Sequence, residues 1–283
     1  MRILSLFCFL LLVSTSIGQS KPAYKIFNAK GKAVSYKKMI KKLEKSDIIL
    51  FGENHNNAIA HWLQLEVTTD LHKTRKLSLG AEMIEQDNQD ELNDYLEGLI
   101  DQRAFDTLAR LWPNHATDYA PLVNFAKENN LPFIATNIPR RYANLVYKKG
   151  FAALDTLSAE EKSWIAPLPI TFDPALPQYV HILEMMGSHG TPELVMAQAI
   201  KDATMAHFIN AQHNEGDLFL HYNGAFHSNR YEGILWYLMQ SNPGREYTTL
   251  TTVDQANVNQ LEKDNKGLAD FIICVDENMT STY

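Results

Sequence analysis

Cysteine is nearly absent: Cys8 lies in an apolar run near the N-terminus and Cys274 in Phe-Ile-Ile-Cys-Val, so a chain that loses the first run has no internal disulfide. Cys274 then reads as a small apolar residue buried in a strand. Beyond residue 18 no hydrophobic run approaches the roughly 20 residues of a membrane-spanning helix. A positive excess is missing too, since the formal net charge is −7, which argues for solubility and against nucleic acid or an acidic membrane surface as partner. There is no Gly-x-Gly-x-x-Gly, no phosphate-binding Gly-x-x-x-x-Gly-Lys, no Cys-x-x-Cys and no His-Glu-x-x-His. Ser188 in Met-Gly-Ser-His-Gly lacks the glycine two places before it that a nucleophile elbow needs. Internal repeats and low-complexity tracts are absent as well.

What is present begins with a leader. Met1–Gly18 carries Arg2, an apolar stretch from Ile3 to Val13 and then small and polar residues, the layout of a secretory signal. Its removal takes Arg2 with it and moves the net charge from −7 to −8. The expected protein is exported to the periplasm or cell envelope. About 265 residues remain, enough for one α/β domain over 19–283 with an insertion.

The organising stretch is Ile48–Gln64. The unbroken apolar run Ile48–Phe51 suits a parallel strand covered on both faces, and Gly52 ends it directly before Glu53 and His55. A helix follows over Asn57–Lys73, and a second strand, Leu77–Met83, carries Glu82. One right-handed crossover sets these two strand ends side by side. Helices are expected over Asp87–Leu99, Arg103–Leu111 and Tyr119–Asn129, then a strand at Leu131–Ala135 leading to Arg140 and Arg141. A strand at Asp217–His221 leads to Gly224 and His227, and strands at Tyr247–Val253 and Phe271–Val275 close the pattern. Tyr24–Phe27 and Ala33–Ser35 read as a hairpin turning at Gly31. The alternation predicts an α/β fold with a mainly parallel central sheet and helices on both faces.

Ionisable residues recur at successive strand ends, where open α/β sheets bind ligands. Glu53, His55, Glu82, Arg140 and His227 are what hydrolysis would need, with Glu53, His55 and His227 as candidate ligands of a divalent metal. The alternatives are that Glu53 or Asn54 caps the next helix, that Arg141 rather than Arg140 serves, and that His221 is a satisfied core histidine. His61 does not share the face of His55 and reads as a supporting residue.

Residues 155–192 are interrupted by prolines and read as a helical insertion, or lid, over the sheet edge. On its helix Gln178–Ser188, Tyr179, His181 and Met185 are candidates for haem contact, since phenolate, imidazole and thioether all ligate haem iron. An amphipathic helix packing its core face explains the same pattern.

The chain resembles the ChaN-like haem-binding uptake proteins of the Tiki/TraB/erythromycin-esterase superfamily. The matching pieces are Leu50-Phe-Gly-Glu-Asn-His55 with His61 and Gln64, Leu79-Gly-Ala-Glu-Met83, and Trp112 with Tyr119-Ala-Pro-Leu. They continue with Ile134-Ala-Thr-Asn-Ile-Pro-Arg140, Gln198 through Asp202-Ala-Thr-Met-Ala206, and Gly224-Ala-Phe-His227. The resemblance implies an exported haem-binding protein of haem or iron uptake, a homodimer with haem at the subunit interface, and a tyrosine as iron ligand, for which Tyr179 is the expected residue. In the wider superfamily the positions of Glu53, His55, Glu82 and His227 serve metal-dependent proteolysis or metal-independent hydrolysis. The chain departs from the family in carrying Ala60 where a second histidine often stands.

Overall fold

A computed structural model describes residues 21–283; the leader read at Met1–Gly18 lies outside the described residues. Among the described residues, seven strands form one sheet: β1 (Tyr24–Asn28), β2 (Ile48–Glu53), β3 (Leu77–Glu85), β4 (Phe133–Asn137), β5 (Leu218–Gly224), β6 (Tyr247–Gln255) and β7 (Phe271–Asp276). Their order is β1-β7-β6-β2-β5-β3-β4. Every neighbouring pair is parallel except β1 against β7. The helices are α1 (Tyr36–Leu43), α2 (Ala58–His72), α3 (Gln89–Glu97), α4 (Gln102–Leu108), α5 (Ala120–Glu128), α6 (Arg140–Lys149), α7 (Ala159–Ser163), α8 (Pro177–Met186), α9 (Pro192–Gln212) and α10 (Ile234–Ser241).

The sheet is covered on both faces because its strands are apolar on both. Ile49 and Phe51 of β2 share one cluster with Leu218, Leu220 and Tyr222 of β5 and with Met39, Leu63, Leu92 and Leu122 from α1, α2, α3 and α5. Ile48 and Leu50 join Phe219 in a second cluster with Met205 and Ile209 of α9 and Leu235 and Leu238 of α10. Alternate residues of one strand thus feed opposite cores, as the period of two requires. α2 begins where Asn57 accepts a hydrogen bond from the Ala60 N–H at 2.9 Å, so the cap at this helix is Asn57 and not Glu53 or Asn54.

Several expectations need correction. β2 and β3 are not neighbours: β5, buried along its whole length, lies between them. The crossover therefore leaves a slot that a strand more than 130 residues later fills, with Glu53 registered beside Gly224. The hairpin at Gly31 reduces to a single bridge between Phe27 and Ala33, and β1 pairs with β7 instead. The helix expected to reach Leu111 stops at Leu108, and a π-helical turn over His115–Tyr119 precedes α5. Strands β2 and β5 run on to Glu53 and Gly224, so Glu53 is the last residue of its strand rather than the first after it.

Residues 155–192 include α8, which packs onto α9. Tyr179 and Leu176 form a small cluster with Val195 and Ala199, while Val180, Met185 and Met186 stay exposed. Cys274 is free and buried in β7. Among the described residues no helix is long and apolar enough to cross a membrane.

Candidate functional site

The carboxyl ends of β2, β3, β4 and β5 open into one cavity of about 1230 Å³. Glu53, His55, Glu82, Arg140 and His227 all line it, together with Met185 from α8. Two histidine–carboxylate groups make its floor, one on each side of Gly224.

The first group is built on β2. Glu53 is buried, and Tyr119 donates to its Oε1 at 2.7 Å while Gln64 of α2 donates to its Oε2 at 2.5 Å. His55 Nδ1 lies 2.9 Å from the same Oε1. The His55 ring is packed edge-on against Trp112, with centroids 4.9 Å apart, and 35% of its side chain remains exposed. Its carbonyl accepts from His61 Nε2 and Asn114 Nδ2, each at 3.1 Å, which holds the loop after β2 in place. Burial opposes charging His55, but the hydrogen bond to Glu53 and the nearby charge of Glu82 raise its pKa. His61 is a buried support of this loop, as its helical position implied.

The second group is almost wholly buried at the cavity wall. His227 follows β5 and places Nε2 3.1 Å from Glu82 Oε1 and Nδ1 2.5 Å from Oδ1 of Asp202 on α9. Glu82 Oε2 also accepts the Gly224 N–H at 2.7 Å, and Asp202 Oδ2 accepts the Tyr179 hydroxyl at 2.9 Å. Burial works against a charged His227, yet Glu82 and Asp202 overcome it and push its pKa up to about 9. Burial likewise opposes ionisation of Glu82, and the His227 charge outweighs it and holds the carboxyl well below its usual range. Asp202 moves upward, because burial exceeds what one imidazolium shared with Glu82 can offset.

Gly224 is needed for space rather than for backbone freedom. A Cβ there would lie 2.8 Å from His55 Cε1 and Nε2 and 3.4 Å from Glu82 Oε2. The turn carrying His227 is fixed by Gly233, whose φ of +57° suits glycine and whose Cα faces the His227 carbonyl.

Two of the three expected metal ligands, Glu53 and His227, are taken up by protein partners. Both oxygens of Glu53 and both nitrogens of His227 already have protein partners. Among the described residues no group of three or more His, Cys, Asp or Glu side chains is arranged to hold an ion. Tyr179 is not in the cavity: it is 1% exposed, its hydroxyl is engaged by Asp202, and burial together with that carboxylate raises its pKa far above the usual value. His181 is also outside the cavity lining, whereas Met185 is in it and 59% exposed. Helical periodicity shows which side chains of α8 share a face but not which face turns inward, and the buried Asp202 decides that. Arg140 is exposed on the rim, and Arg141 pairs with Asp87 rather than with Glu82. His221 is a satisfied core residue, 2.7 Å from Thr136 Oγ1 and 3.2 Å from Asn223 Oδ1.

Sequence reasoning missed Asp202, Tyr119 and Gln64 as the partners that fix the histidines and Glu53. For Asp202 a signal existed, since Gln198 and Asp202 sit four apart on one face of a long helix.

Comparison with solved structures gives a ChaN of Campylobacter jejuni that binds haem cofacially, with a TM-score of 0.67 and 17% identity, covering 89% of this chain and 97% of that one. A mutant of the erythromycin esterase EreC in its open conformation matches with a TM-score of 0.52 and 8% identity, over 89% of this chain and 97% of that one. At these identities both show the fold alone. Among curated proteins, the chloroplastic protein RETICULATA-RELATED 5 of Arabidopsis thaliana is 28% identical over 111 residues, 37% of this chain, which spans only 15% of that relative's length. Residues 39–238 match the family described as haem-binding uptake, Tiki superfamily, ChaN, and the chain belongs to it.

Proposed function

We propose that the protein binds haem in the cavity above the strand ends and serves haem or iron uptake as an exported envelope protein. One observation carries the reading: in an acidic chain, the cavity joins an apolar wall to a basic rim. Leu111, Trp112, Ile138, Ile182, Met185, Met186 and Phe226 supply the apolar surface, and Arg110, Arg140, Arg141 and Lys201 supply the charge. The volume of about 1230 Å³ exceeds the range of roughly 300–1,000 Å³ common for single small ligands. A flat apolar macrocycle bearing two carboxylates suits this division. Arg110 and Arg141 are held by Asp87, while Arg140 and Lys201 have no ion-pair partner among the described residues and are free to meet those carboxylates. The N-terminus of α6, which begins at Arg140 and has no side-chain cap, lies on the same side. Haem, when bound, would supply the iron, and the protein would supply enclosure, charge and an axial ligand. Export rests on the leader pattern of Met1–Gly18. A homodimer around the ligand is part of the proposal and is supported by the exposed Val180, Met185, Met186 and Phe226.

Haemin titration tests the reading. A Soret shift that saturates at a fixed stoichiometry is expected, and free-haemin spectra throughout would end it.

The partly exposed His55, backed by Glu53, favours a second reading, a hydrolase in which the imidazole takes a proton from water. Turnover of an ester or peptide that His55→Ala left unchanged would exclude this site from it.

A further inference from the structure

We propose that helix α1 presents a lysine face that docks the protein on an anionic lipid surface. The net charge of −7 argues against such a partner only where charge is evenly spread, and here it is not. Residues 21–45 hold nine lysines, no arginine and a single acidic residue, Glu44. Residues 46–283 hold 16 lysines and arginines against 32 aspartates and glutamates.

The lysines gather on α1. Its buried face is Met39, Ile40 and Leu43, which join the core cluster of Ile49 and Phe51. Its outer face is Lys37, Lys38, Lys41 and Lys42, continued by Lys45, all of them exposed. Lys42 lies 3.9 Å from the exposed Glu246, a pair worth little in water, and the other four have no ion-pair partner among the described residues.

A face kept only for solubility would be built differently. Anionic side chains favour a helix N-terminus and cationic ones its C-terminus, yet the first turn of α1 carries Lys37 and Lys38 and no acidic residue. Lys37 and Lys41, like Lys38 and Lys42, stand four apart, where like charges repel and a Glu-to-Lys pair would attract. These lysines work against the helix that carries them, and an anionic surface turns the repulsion into attraction.

Two features favour lipid as that surface. All nine cations of residues 21–45 are lysine, a compact point charge, whereas recognition of one shaped carboxylate or phosphate favours the planar fork of arginine. A lysine-only face answers to charge density, and each lysine near anionic headgroups gains roughly fivefold in affinity. Trp62 on α2 supplies the second feature, since it is 47% exposed beside this face. Its ring meets Tyr24 edge-on at 5.9 Å, and Tyr36, the first residue of α1, donates to Asp70 of α2 at 3.0 Å. An indole with an apolar body and one N–H suits the headgroup depth of a bilayer. Against these stand Glu66, one turn from Trp62, and Asp70, which Lys73 neutralises at 2.7 Å. No residue before Glu53 lines the strand-end cavity, so docking at α1 does not compete with its contents. Six of the nine lysines precede residue 39, where the family match begins, so most of the excess lies outside the matched stretch.

The test is flotation of the chain from residue 19, which holds the whole described fold and lacks the apolar run of the leader. The vesicles are phosphatidylcholine alone, or phosphatidylcholine with about three parts in ten of phosphatidylglycerol. Wild type should float with the anionic vesicles only, and added salt should weaken that binding about tenfold or more by screening. Lys37→Gln combined with Lys41→Gln should bind roughly 25-fold more weakly, with a melting curve no lower than wild type because a repulsion is removed. Lys148→Gln combined with Lys149→Gln, exposed lysines of α6, should change binding by less than about twofold. Trp62→Ala should weaken binding several-fold and keep the preference for anionic vesicles. The proposal is overturned if wild type ignores anionic vesicles, binds neutral ones equally, or is matched by the Lys37 and Lys41 variant. Capture of soluble polyglutamate in place of vesicles also overturns it and assigns the face to an acidic protein. Haemin titration of these variants should match wild type, so a failure here leaves the haem reading standing, and a failure of haem binding leaves this face untouched.

Discussion

The two histidines of the cavity floor sit on either side of one glycine, yet they live in different media. His227 is sealed between Glu82 and Asp202, while His55 leans on Glu53 with about a third of its side chain in the open. The enclosed group is saturated: each imidazole nitrogen has a carboxylate, Glu82 has the Gly224 amide, and Asp202 has the Tyr179 hydroxyl. Through Tyr179 it also ties helix α8 to α9. The open group keeps one side of a polar ring toward the cavity. The lesson is that residues of the same chemical type at adjacent strand ends divide into one set that builds the site and one that meets its contents.

The largest expected effect comes from breaking the enclosed set. His227→Ala leaves two buried carboxylates facing each other without an imidazolium, and breaking a buried pair in this way costs about 3–5 kcal/mol. That is a large share of a typical total of roughly 5–15 kcal/mol. Denaturant unfolding of the variant checks it, and a loss below about 1 kcal/mol would mean that His227 is not charged in the folded protein.

Next in size is the pH dependence. The folded pKa of His227, about 9, lies above the ordinary 6.5, so the folded state holds a proton that the unfolded state has released between these values. Its contribution is complete below pH 6.5 and fades as pH rises through 9. Some 1.36 kcal/mol per pKa unit makes this roughly 3 kcal/mol. Glu82, shifted the opposite way, contributes above its ordinary carboxyl range and loses that contribution as pH falls. Melting temperature should therefore decline from near-neutral pH toward pH 9.5 in wild type, and His227→Gln should flatten that decline. Parallel curves would remove the charged histidine from the account.

The strand-end chemistry was legible because parallel strands put their carboxyl ends at one edge, so Glu53, Glu82 and His227 fall on the same edge whatever the strand order, while the order decides that they meet. The order itself was not legible. That β5 slides between β2 and β3 depends on pairing across more than 130 residues, which leaves no local pattern. Tyr179 was misplaced for a related reason: α8 buries little besides Gln178 and Tyr179, so its inward face is set by one hydroxyl reaching Asp202.

The smallest effect on stability belongs to His55, and it sharpens the contrast most. In His55→Ala, Glu53 keeps its Tyr119 and Gln64 donors, so no buried carboxylate is left alone. What disappears is one partly exposed charge-assisted hydrogen bond and the edge contact with Trp112, together about 1 kcal/mol or less after solvent screening. The loop after β2 should survive, because His61 and Asn114 hold it through the residue 55 carbonyl, which alanine retains. Denaturant unfolding should then place His55→Ala within about 1 kcal/mol of wild type while ligand spectra change. A loss as large as that of His227→Ala would show the open histidine to be structural after all, and the division between the two halves of the floor would fall.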